Sequence, residues 1–269
     1  MHAHGRPRAR RPWLPLVGAA IAVAVVCAVG AWRPWIVPSA PVAAVEQGLA
    51  AVAPAALSLP EDARVLVFGD SWVYGSAAIV PSLGFAYVLG DTLGWETVVD
   101  GVRGSGYLKP GLDGGSYGER VEDLDPALDP DLIIVEGSIN DRRLPADGYR
   151  DAVTAVWDGL AARYPEASFV ILGPAPQVLP VEPATARIDS DLAALAGARG
   201  WWYISPIAEG WITAENYLDV IDVGPIGRDH PSTDGHAYLA ERVAAALDRM
   251  TEATDIIADA PLDEELVGP

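Results

Sequence analysis

With 269 residues, of which 51% are hydrophobic, the chain is long enough to bury a full core in one large domain with shorter appendages. Its formal net charge of −19 argues against nucleic acid as a partner, because a phosphate backbone repels a strongly acidic surface. The single cysteine, Cys27, rules out an intrachain disulfide, so the fold must be held by its core.

The N-terminal region has the pattern of a membrane anchor or an export signal. A basic cluster between Arg6 and Arg11 precedes residues 14–31, which carry no charge. This run has the length of a short membrane-spanning helix and is long for the apolar part of a signal peptide. Because the positive residues come first, we expect a cytoplasmic N-terminus and an exported main domain. The protein would then be a single-pass protein of the cell membrane, or secreted if the segment is cleaved.

Composition also divides the chain into segments. Residues 32–62 are rich in proline and alanine, as expected for a semi-extended tether, and the last residues are rich in Asp and Glu, as in a solvated tail. The predicted boundaries are a basic segment at 1–13, an apolar anchor or signal peptide at 14–31, a linker at 32–62, the main domain at 63–250 and an acidic tail at 251–269.

Within the main domain, short apolar runs alternate with helical patterns. The predicted strands are 64–69, 96–100, 131–136, 168–173 and 201–205, and the predicted helices are about 83–93, 147–164, 184–199 and 235–249. Such alternation indicates a parallel sheet covered by helices on both faces. We therefore predict an α/β fold, a three-layer α/β/α doubly wound domain with a five-stranded parallel sheet, preceded by the apolar N-terminal helix.

Ser71 directly follows the first predicted strand, in the tripeptide Gly69-Asp70-Ser71. A side chain at the carboxyl end of a parallel strand lies where open α/β sheets bind their ligands. That position suits a catalytic nucleophile, although a helix cap formed by Asp70 or Ser71 explains the same tripeptide.

Two further strand ends carry groups that can stabilise an oxyanion. Glycines between Gly101 and Gly106 follow the second strand, where the backbone can turn with its N–H groups exposed. Asn140 follows the third strand, and its amide can either supply another N–H donor at the same edge of the sheet or cap a helix.

Two histidines are candidates for a general base. His2 and His4 precede the apolar run, which leaves His230 and His236 for an exported site. His230 lies in a loop before the last predicted helix, whereas His236 falls in the first turn of that helix, where a capping or packing role is expected. We therefore predict His230 as the base. The neighbouring carboxylates do not complete a metal-ligand pattern with these histidines, so no metal is expected.

Taken together, these residues resemble the sequence blocks of the SGNH, or GDSL-type, hydrolases, a family of esterases and lipases on a flavodoxin-like sheet. The four blocks match in order over roughly residues 63–250: Gly69-Asp70-Ser71, Gly101-Val102-Arg103-Gly104, Gly137-Ser138-Ile139-Asn140-Asp141, and His230-Pro231 with Gly235-His236. The resemblance implies Ser71 as nucleophile and His230 as general base. It also implies an oxyanion hole formed by the backbone N–H groups of Ser71 and Gly104 and by the side chain of Asn140.

The chain departs from the family pattern at one position. The family places an aspartate three residues before the catalytic histidine, and here that residue is Gly227. Asp229 is adjacent to His230 and is expected to point away from its ring. We therefore expect either that Asp222 folds back onto His230, or that a backbone carbonyl holds the ring, which would give a Ser–His dyad.

The predicted function is an extracytoplasmic serine hydrolase that cleaves small-molecule or glycan esters through an acyl-enzyme, without metal or cofactor. The sequence leaves two alternatives open: an envelope O-acyltransferase that uses the same acyl-enzyme, and a surface binding module whose site has decayed. We expect a monomer whose N-terminal helix contacts the membrane. Several aromatic residues are candidates for lining an acyl or sugar pocket, although such side chains are more often core: Trp72, Tyr74, Tyr107, Trp201, Trp202 and Trp211.

Overall fold

The computed structural model describes residues 52–258, with side chains as far as Thr251. The predicted segments at 1–13 and 14–31 lie outside the described residues, as do the first part of the linker and the end of the acidic tail. None of the helices within residues 52–258 combines the length and the apolar character that a membrane span requires.

A five-stranded parallel sheet forms the centre of the domain, as predicted. Its strands are β1 (Arg64–Gly69), β2 (Glu96–Gly101), β3 (Leu132–Glu136), β4 (Ser168–Leu172) and β5 (Trp202–Ile204). They lie in the order β2-β1-β3-β4-β5, and every neighbouring pair is parallel. The direction of winding reverses between β1 and β3, and doubly wound folds bind their ligands at the carboxyl ends of the strands beside this point.

Helices cover both faces of the sheet: α1 (Ser71–Tyr74), α2 (Phe85–Leu93), α3 (Tyr117–Asp123), α4 (Tyr149–Arg163), α5 (Pro183–Arg199), α6 (Tyr217–Val220) and α7 (Thr233–Ala258). Short 3-10 helices lie at Pro81–Leu83, Pro126–Leu128 and Ile139–Arg143. Two very short strands, β6 (Ile221–Asp222) and β7 (His230–Pro231), form a separate antiparallel pair.

Alternate residues of each strand contribute to the cores on opposite faces of the sheet. On β1, Val65 and Val67 join the core that contains α2 and α7, whereas Leu66 and Phe68 join the core that contains α4 and α5. All four side chains are completely buried. Burial on both faces explains why the strand is a continuous apolar run in the sequence.

The structure differs from the predicted segment boundaries at both ends of the domain. Residues 52–62 were predicted as linker but lie against the domain, since Leu57 is buried in the core and Val52 N–H donates to Gly197 O at 2.8 Å. The last helix continues to Ala258 instead of ending near Met250, because residues 251–258 contain neither glycine nor proline. The first part of the predicted acidic tail is therefore helical.

The prediction did not include the short helices α1, α3 and α6, the 3-10 helices or the β6–β7 pair. Helix α3 begins with a capping box, in which Ser116 and Glu119 cap each other's backbone N–H groups, and this Ser-x-x-Glu pattern is visible in the sequence. Each strand of the β6–β7 pair has only two residues, and Pro231 is one of the two in β7. Strands this short show no periodic pattern in the sequence.

Candidate active site

Ser71 lies in the first turn of α1, just past the carboxyl end of β1. Asp70 caps this helix, since its Oδ1 accepts a hydrogen bond from the backbone N–H of Trp72 at 2.9 Å. Gly69 has no room for a side chain, because a Cβ there would lie 2.7 Å from Oε2 of Glu136. The close packing at Gly69 and the cap at Asp70 together fix the turn that carries Ser71.

His230 is the histidine that meets Ser71. Its Nε2 lies 2.9 Å from Oγ of Ser71, while its Nδ1 lies 2.9 Å from O of Gly227 and 3.1 Å from O of Arg228. A carbonyl oxygen only accepts hydrogen bonds, so Nδ1 carries the proton and Nε2 keeps a lone pair for the hydroxyl of Ser71. This is the tautomer that a general base needs.

Asp222, the predicted orienting carboxylate, does not hydrogen bond to the ring of His230. Its Oδ1 accepts from the N–H of Gly224 at 2.8 Å, and its backbone O accepts from the N–H of Asp229 at 3.0 Å. Among residues 52–251, no carboxylate bonds to Nδ1 of His230. Of the two arrangements expected from the sequence, the structure therefore shows the Ser–His dyad held by main-chain carbonyls.

Gly227 occupies the position where the family has its aspartate, and the packing explains why a larger residue does not fit. A Cβ at position 227 would lie 2.2 Å from Cγ of Asp222 and 2.5 Å from its backbone O. Both distances are far below van der Waals contact. Asp222 thus fills the space that an aspartate at 227 would need.

Two backbone N–H groups near the nucleophile are free to donate. Within residues 52–258 the N–H groups of Ser71 and Gly104 have no hydrogen-bond acceptor, and both residues line the same cleft. Gly104 has a φ of +74°, a conformation that L side chains rarely adopt. Unpaired N–H groups beside a nucleophile are the donors that an oxyanion intermediate requires.

Asn140 lies in the 3-10 helix that follows β3, and it lines the same cleft. Its Nδ2 donates to Oδ2 of Asp70 at 2.8 Å and to O of Ser105 at 2.9 Å. Both hydrogens of the amide are therefore engaged. An oxyanion can receive one of them only by sharing it with, or replacing, one of these two acceptors.

A buried pair of carboxyl groups, Asp70 and Glu136, lies beside Ser71. Burial raises the pKa of Asp70, and burial together with the charge of Asp70 raises the pKa of Glu136 well above its usual range. Asp70 accepts hydrogen bonds from the N–H of Trp72 and the amide of Asn140, which stabilise its charged form. Glu136 is therefore the protonated partner of the pair.

Two other buried charges hold the chain around the glycine loop, residues 101–106. Arg120 donates to O of Gly69 at 2.9 Å and to Oγ of Ser105 at 3.0 Å, which joins the end of β1 to the loop. Asp141 accepts from the N–H of Tyr107 at 2.8 Å, and burial raises the pKa of this carboxyl to about 6. The position of Gly104 thus depends on charged groups that do not line the cleft.

The sequence patterns gave no role to the buried charged residues that surround the site, Arg120, Glu136 and Asp141. Arg120 lies in α3, a helix that was not predicted. Glu136 could have been noticed, because it is a single acidic residue at the end of the apolar run Leu132–Val135.

His236, the other candidate base, is bound entirely to the main chain. Its Nδ1 accepts from the N–H of Phe85 at 3.2 Å, and its Nε2 donates to O of Ser76 at 3.0 Å. Burial lowers the pKa of His236 to about 4, so the ring is neutral near pH 7. His236 thus connects α7 to the start of α2 and to the loop after α1.

Within the described part of the chain, no group of His, Cys, Asp and Glu side chains is arranged to hold a metal ion.

The dyad opens into a cleft of about 530 Å³. Of the six aromatic residues considered from the sequence, only Tyr74 lines this cleft. Trp72, Tyr107 and Trp211 are buried, and Trp201 stacks on Phe169 with ring centroids 4.1 Å apart. Most of these aromatic side chains therefore serve the core.

The fold and the family comparison together define a class of protein, an esterase-type hydrolase on a doubly wound sheet. The chain matches the family model of the GDSL-like lipases and acylhydrolases over residues 67–238, which is more than half of its length. It belongs to this family. The match includes Ser71, Asn140 and His230, and it confirms the resemblance drawn from the sequence blocks.

Among individual relatives, the chain is similar to GDSL lipase Rv0518 from Mycobacterium tuberculosis. The two are 33% identical over 148 residues, which cover 52% of this chain and 59% of the relative. The match therefore spans less than two thirds of that protein.

Solved structures of distant relatives share the fold. An aryl esterase from M. smegmatis superposes with a TM-score of 0.53 at 16% identity, covering 70% of this chain and 99% of the esterase. A carbohydrate acetylesterase family member from Sinorhizobium meliloti gives a TM-score of 0.53 at 14% identity, covering 70% and 98% of the two chains. At these identities the similarity concerns the fold alone.

Proposed function

We propose that this hydrolase cleaves carboxylic esters through an acyl-enzyme on Ser71, with His230 as its general base. The observation that carries the proposal is the 2.9 Å distance between Oγ of Ser71 and Nε2 of His230. It is supported by the main-chain carbonyls that keep the proton on Nδ1. These contacts support Ser71 as the nucleophile, His230 as the base and the two carbonyl oxygens as the groups that orient the base.

The reaction begins when Oγ of Ser71 attacks the acyl carbonyl and Nε2 of His230 takes the hydroxyl proton. The negative charge that develops on the carbonyl oxygen is stabilised by the free N–H groups of Ser71 and Gly104, with Asn140 as a further donor. His230 then returns its proton to the leaving alcohol. A water molecule, deprotonated by the same ring, attacks the acyl-enzyme and releases the acid with Ser71 restored.

As substrates we propose aryl esters and acetyl esters, including those of carbohydrates. Support comes from the open polar cleft, and from an aryl esterase and a carbohydrate acetylesterase family member that share the fold.

We also propose that the domain works outside the cytoplasm, because basic residues precede the uncharged run at 14–31. Fractionation of expressing cells tests this location: recovery in the membrane or the medium agrees with it, and recovery in the cytosol contradicts it.

The activity is tested by steady-state hydrolysis of 4-nitrophenyl acetate with the full chain. Ser71→Ala and His230→Ala should each lower kcat/KM by about a thousandfold or more, because each removes a group that the acyl-enzyme route requires. Arg150→Gln, on the exposed surface of α4, is the matched control and should leave kcat/KM unchanged. A His230→Ala variant that folds and keeps most of the activity would show that the base is misassigned.

A further inference from the structure

The charge of the cleft at Ser71 is opposite to that of the chain as a whole. The chain has a formal net charge of −19, yet five of its eighteen lysines and arginines line this one cleft. A single carboxylate, Asp229, lines it as well. The five cations are Arg103, Lys109, Arg142, Arg143 and Arg228.

Two of these cations are already neutralised by partners on the chain. Arg103 pairs with Asp113. Arg142 pairs with Glu182 at 2.7 Å and also donates to Oε1 of Gln177 at 2.9 Å. These two arginines therefore contribute little net charge to the cleft.

The other three cations, Lys109, Arg143 and Arg228, have no ion pair with any residue between 52 and 251. They come from three different segments around the nucleophile. Lys109 follows the glycine loop, Arg143 ends the 3-10 helix of Asn140, and Arg228 lies two residues before His230. These three cations, none of which forms an ion pair within that range, thus approach the site from different segments of the chain.

Lys109 also lies close to the expected oxyanion donor. Its Nζ is 3.7 Å from the point where a Cβ on Gly104 would be, so its charge lies beside this residue. Two exposed aliphatic side chains, Leu112 and Ile226, line the same cleft and leave 76% and 89% of their surface free. The cleft therefore offers positive charge and apolar carbon within the same opening.

Three cations face a single carboxylate, Asp229, in this cleft, and such an excess of positive charge raises the local potential, which a cleft focuses. An anionic ligand is attracted to them and relieves their mutual repulsion. Guanidinium groups in particular match the planar geometry of carboxylate and the oxygens of phosphate.

We propose that the ester hydrolysed at Ser71 carries a negatively charged group, a carboxylate or a phosphate, which Lys109, Arg143 and Arg228 bind. The inference rests on the proposed function and narrows its substrate class. The three cations act as a specificity site beside the dyad, and the carbon skeleton of the ester contacts Leu112 and Ile226.

The test compares matched esters that differ only in charge, using the full chain. On the alcohol side, 4-acetoxybenzoate is compared with 4-acetoxybenzamide, and 4-acetoxyphenyl phosphate distinguishes phosphate from carboxylate. On the acyl side, the 4-nitrophenyl monoester of adipic acid is compared with that of adipamic acid. Each kcat/KM is divided by the rate of hydroxide-catalysed hydrolysis, which removes differences in intrinsic reactivity.

We expect an anionic member to be preferred by about tenfold or more in at least one pair. This preference should fall as NaCl is added, because salt screens exposed charges. It should also fall in Arg143→Gln and in the triple variant Lys109→Gln, Arg143→Gln, Arg228→Gln. The preference should persist in Arg150→Gln, where the lost cation lies outside the cleft.

Two failures are distinguishable. If the neutral esters are hydrolysed in a Ser71-dependent way but no anionic partner is preferred, the inference is overturned and the proposed function stands. If no ester of either charge is hydrolysed, the proposed function fails, and the substrate class fails with it. A preference that survives the triple variant unchanged also overturns the assignment to these three residues.

Discussion

His230 is held by the carbonyl oxygens of Gly227 and Arg228, and no carboxylate in the described part of the chain takes that place. A carbonyl oxygen can fix the tautomer by accepting a hydrogen bond from Nδ1–H. It offers less stabilisation than a full negative charge when the ring becomes imidazolium. At Nδ1 the ring is therefore held by main-chain dipoles, while the buried carboxylate of Asp70 interacts electrostatically with His230 without bonding to it.

The dyad predicts small effects from the nearby carboxylates. Asp222→Asn and Asp229→Asn should each lower kcat for 4-nitrophenyl acetate by no more than about threefold, because neither carboxylate hydrogen bonds to the ring. Steady-state kinetics at pH 8 measures this, with His230→Ala as the reference for full loss. A drop of about a hundredfold in Asp222→Asn would instead show that Asp222 orients His230 during turnover.

Glu136 is a second residue whose protonation state has a testable consequence. Because protonated Glu136 can donate to Asp70, Glu136→Gln should keep that donor and change the free energy of unfolding by less than about 1 kcal/mol. Glu136→Leu has a similar volume but no donor, so it should destabilise the protein by roughly 1–3 kcal/mol.

Urea unfolding measures both Glu136 variants under identical conditions. Equal destabilisation by Gln and Leu would contradict the assignment, since it would mean that the negative charge of Glu136 matters and its proton does not.

At the level of elements, His236 joins three segments, one of which, the loop after α1, lines the cleft. It belongs to α7, accepts from the first N–H of α2 at Phe85, and donates to Ser76 in the loop after α1. The N–H at the start of a helix has no partner within that helix, so His236 also acts as a cap. Only the neutral ring can make both bonds.

The stability of this junction should depend on pH. The pKa of His236 is about 4 in the folded protein, below the ordinary value of about 6.5 expected for the unfolded chain. The stability that neutral His236 contributes is therefore complete above about pH 6.5 and decreases as the pH falls. By pH 4 the loss is about 3 kcal/mol.

Urea unfolding at pH 7.5 and pH 4 compares the wild type with His236→Gln, which does not titrate. The difference between the two pH values should be about 3 kcal/mol larger in the wild type. An equal difference in both proteins would show that His236 is not buried in its neutral form.

Elements marked by a local sequence pattern could be predicted, whereas those that depend on contacts between distant residues could not. Strand β1 was predicted at its observed bounds because burial on both faces leaves a continuous apolar run. The pair β6–β7 was not predicted, although it carries His230, because two-residue strands exist only through contacts made after folding. The position of Asp222 against Gly227 is likewise a packing result that no local pattern encodes.

At the level of the whole molecule, residues 52–62, which precede β1, belong to the folded domain. Leu57 is 3% exposed within the core that contains α2 and α7, and Trp202 Nε1 donates to Ala55 O at 2.8 Å. The predicted tether therefore does not include residues 52–62, which contribute to the stability of the domain.

Leu57→Ala in the full chain tests this boundary. It should lower the free energy of unfolding by about 2–4 kcal/mol, because a buried leucine is removed and leaves a cavity. Val52→Ala is the matched control, since Val52 is 54% exposed and should change stability by less than about 0.5 kcal/mol. Equal values for the two variants in urea unfolding would mean that the segment does not pack as described.

Activation of Ser71 by His230 is tested most directly by covalent labelling of the full chain with a fluorophosphonate, followed by peptide mapping. A serine activated by a neighbouring imidazole reacts with such a probe, whereas ordinary serines do not. We expect one label on Ser71, none in Ser71→Ala, and a labelling rate in His230→Ala that is lower by about a hundredfold or more. Labelling of a different serine, or full labelling of Ser71 without His230, would contradict it.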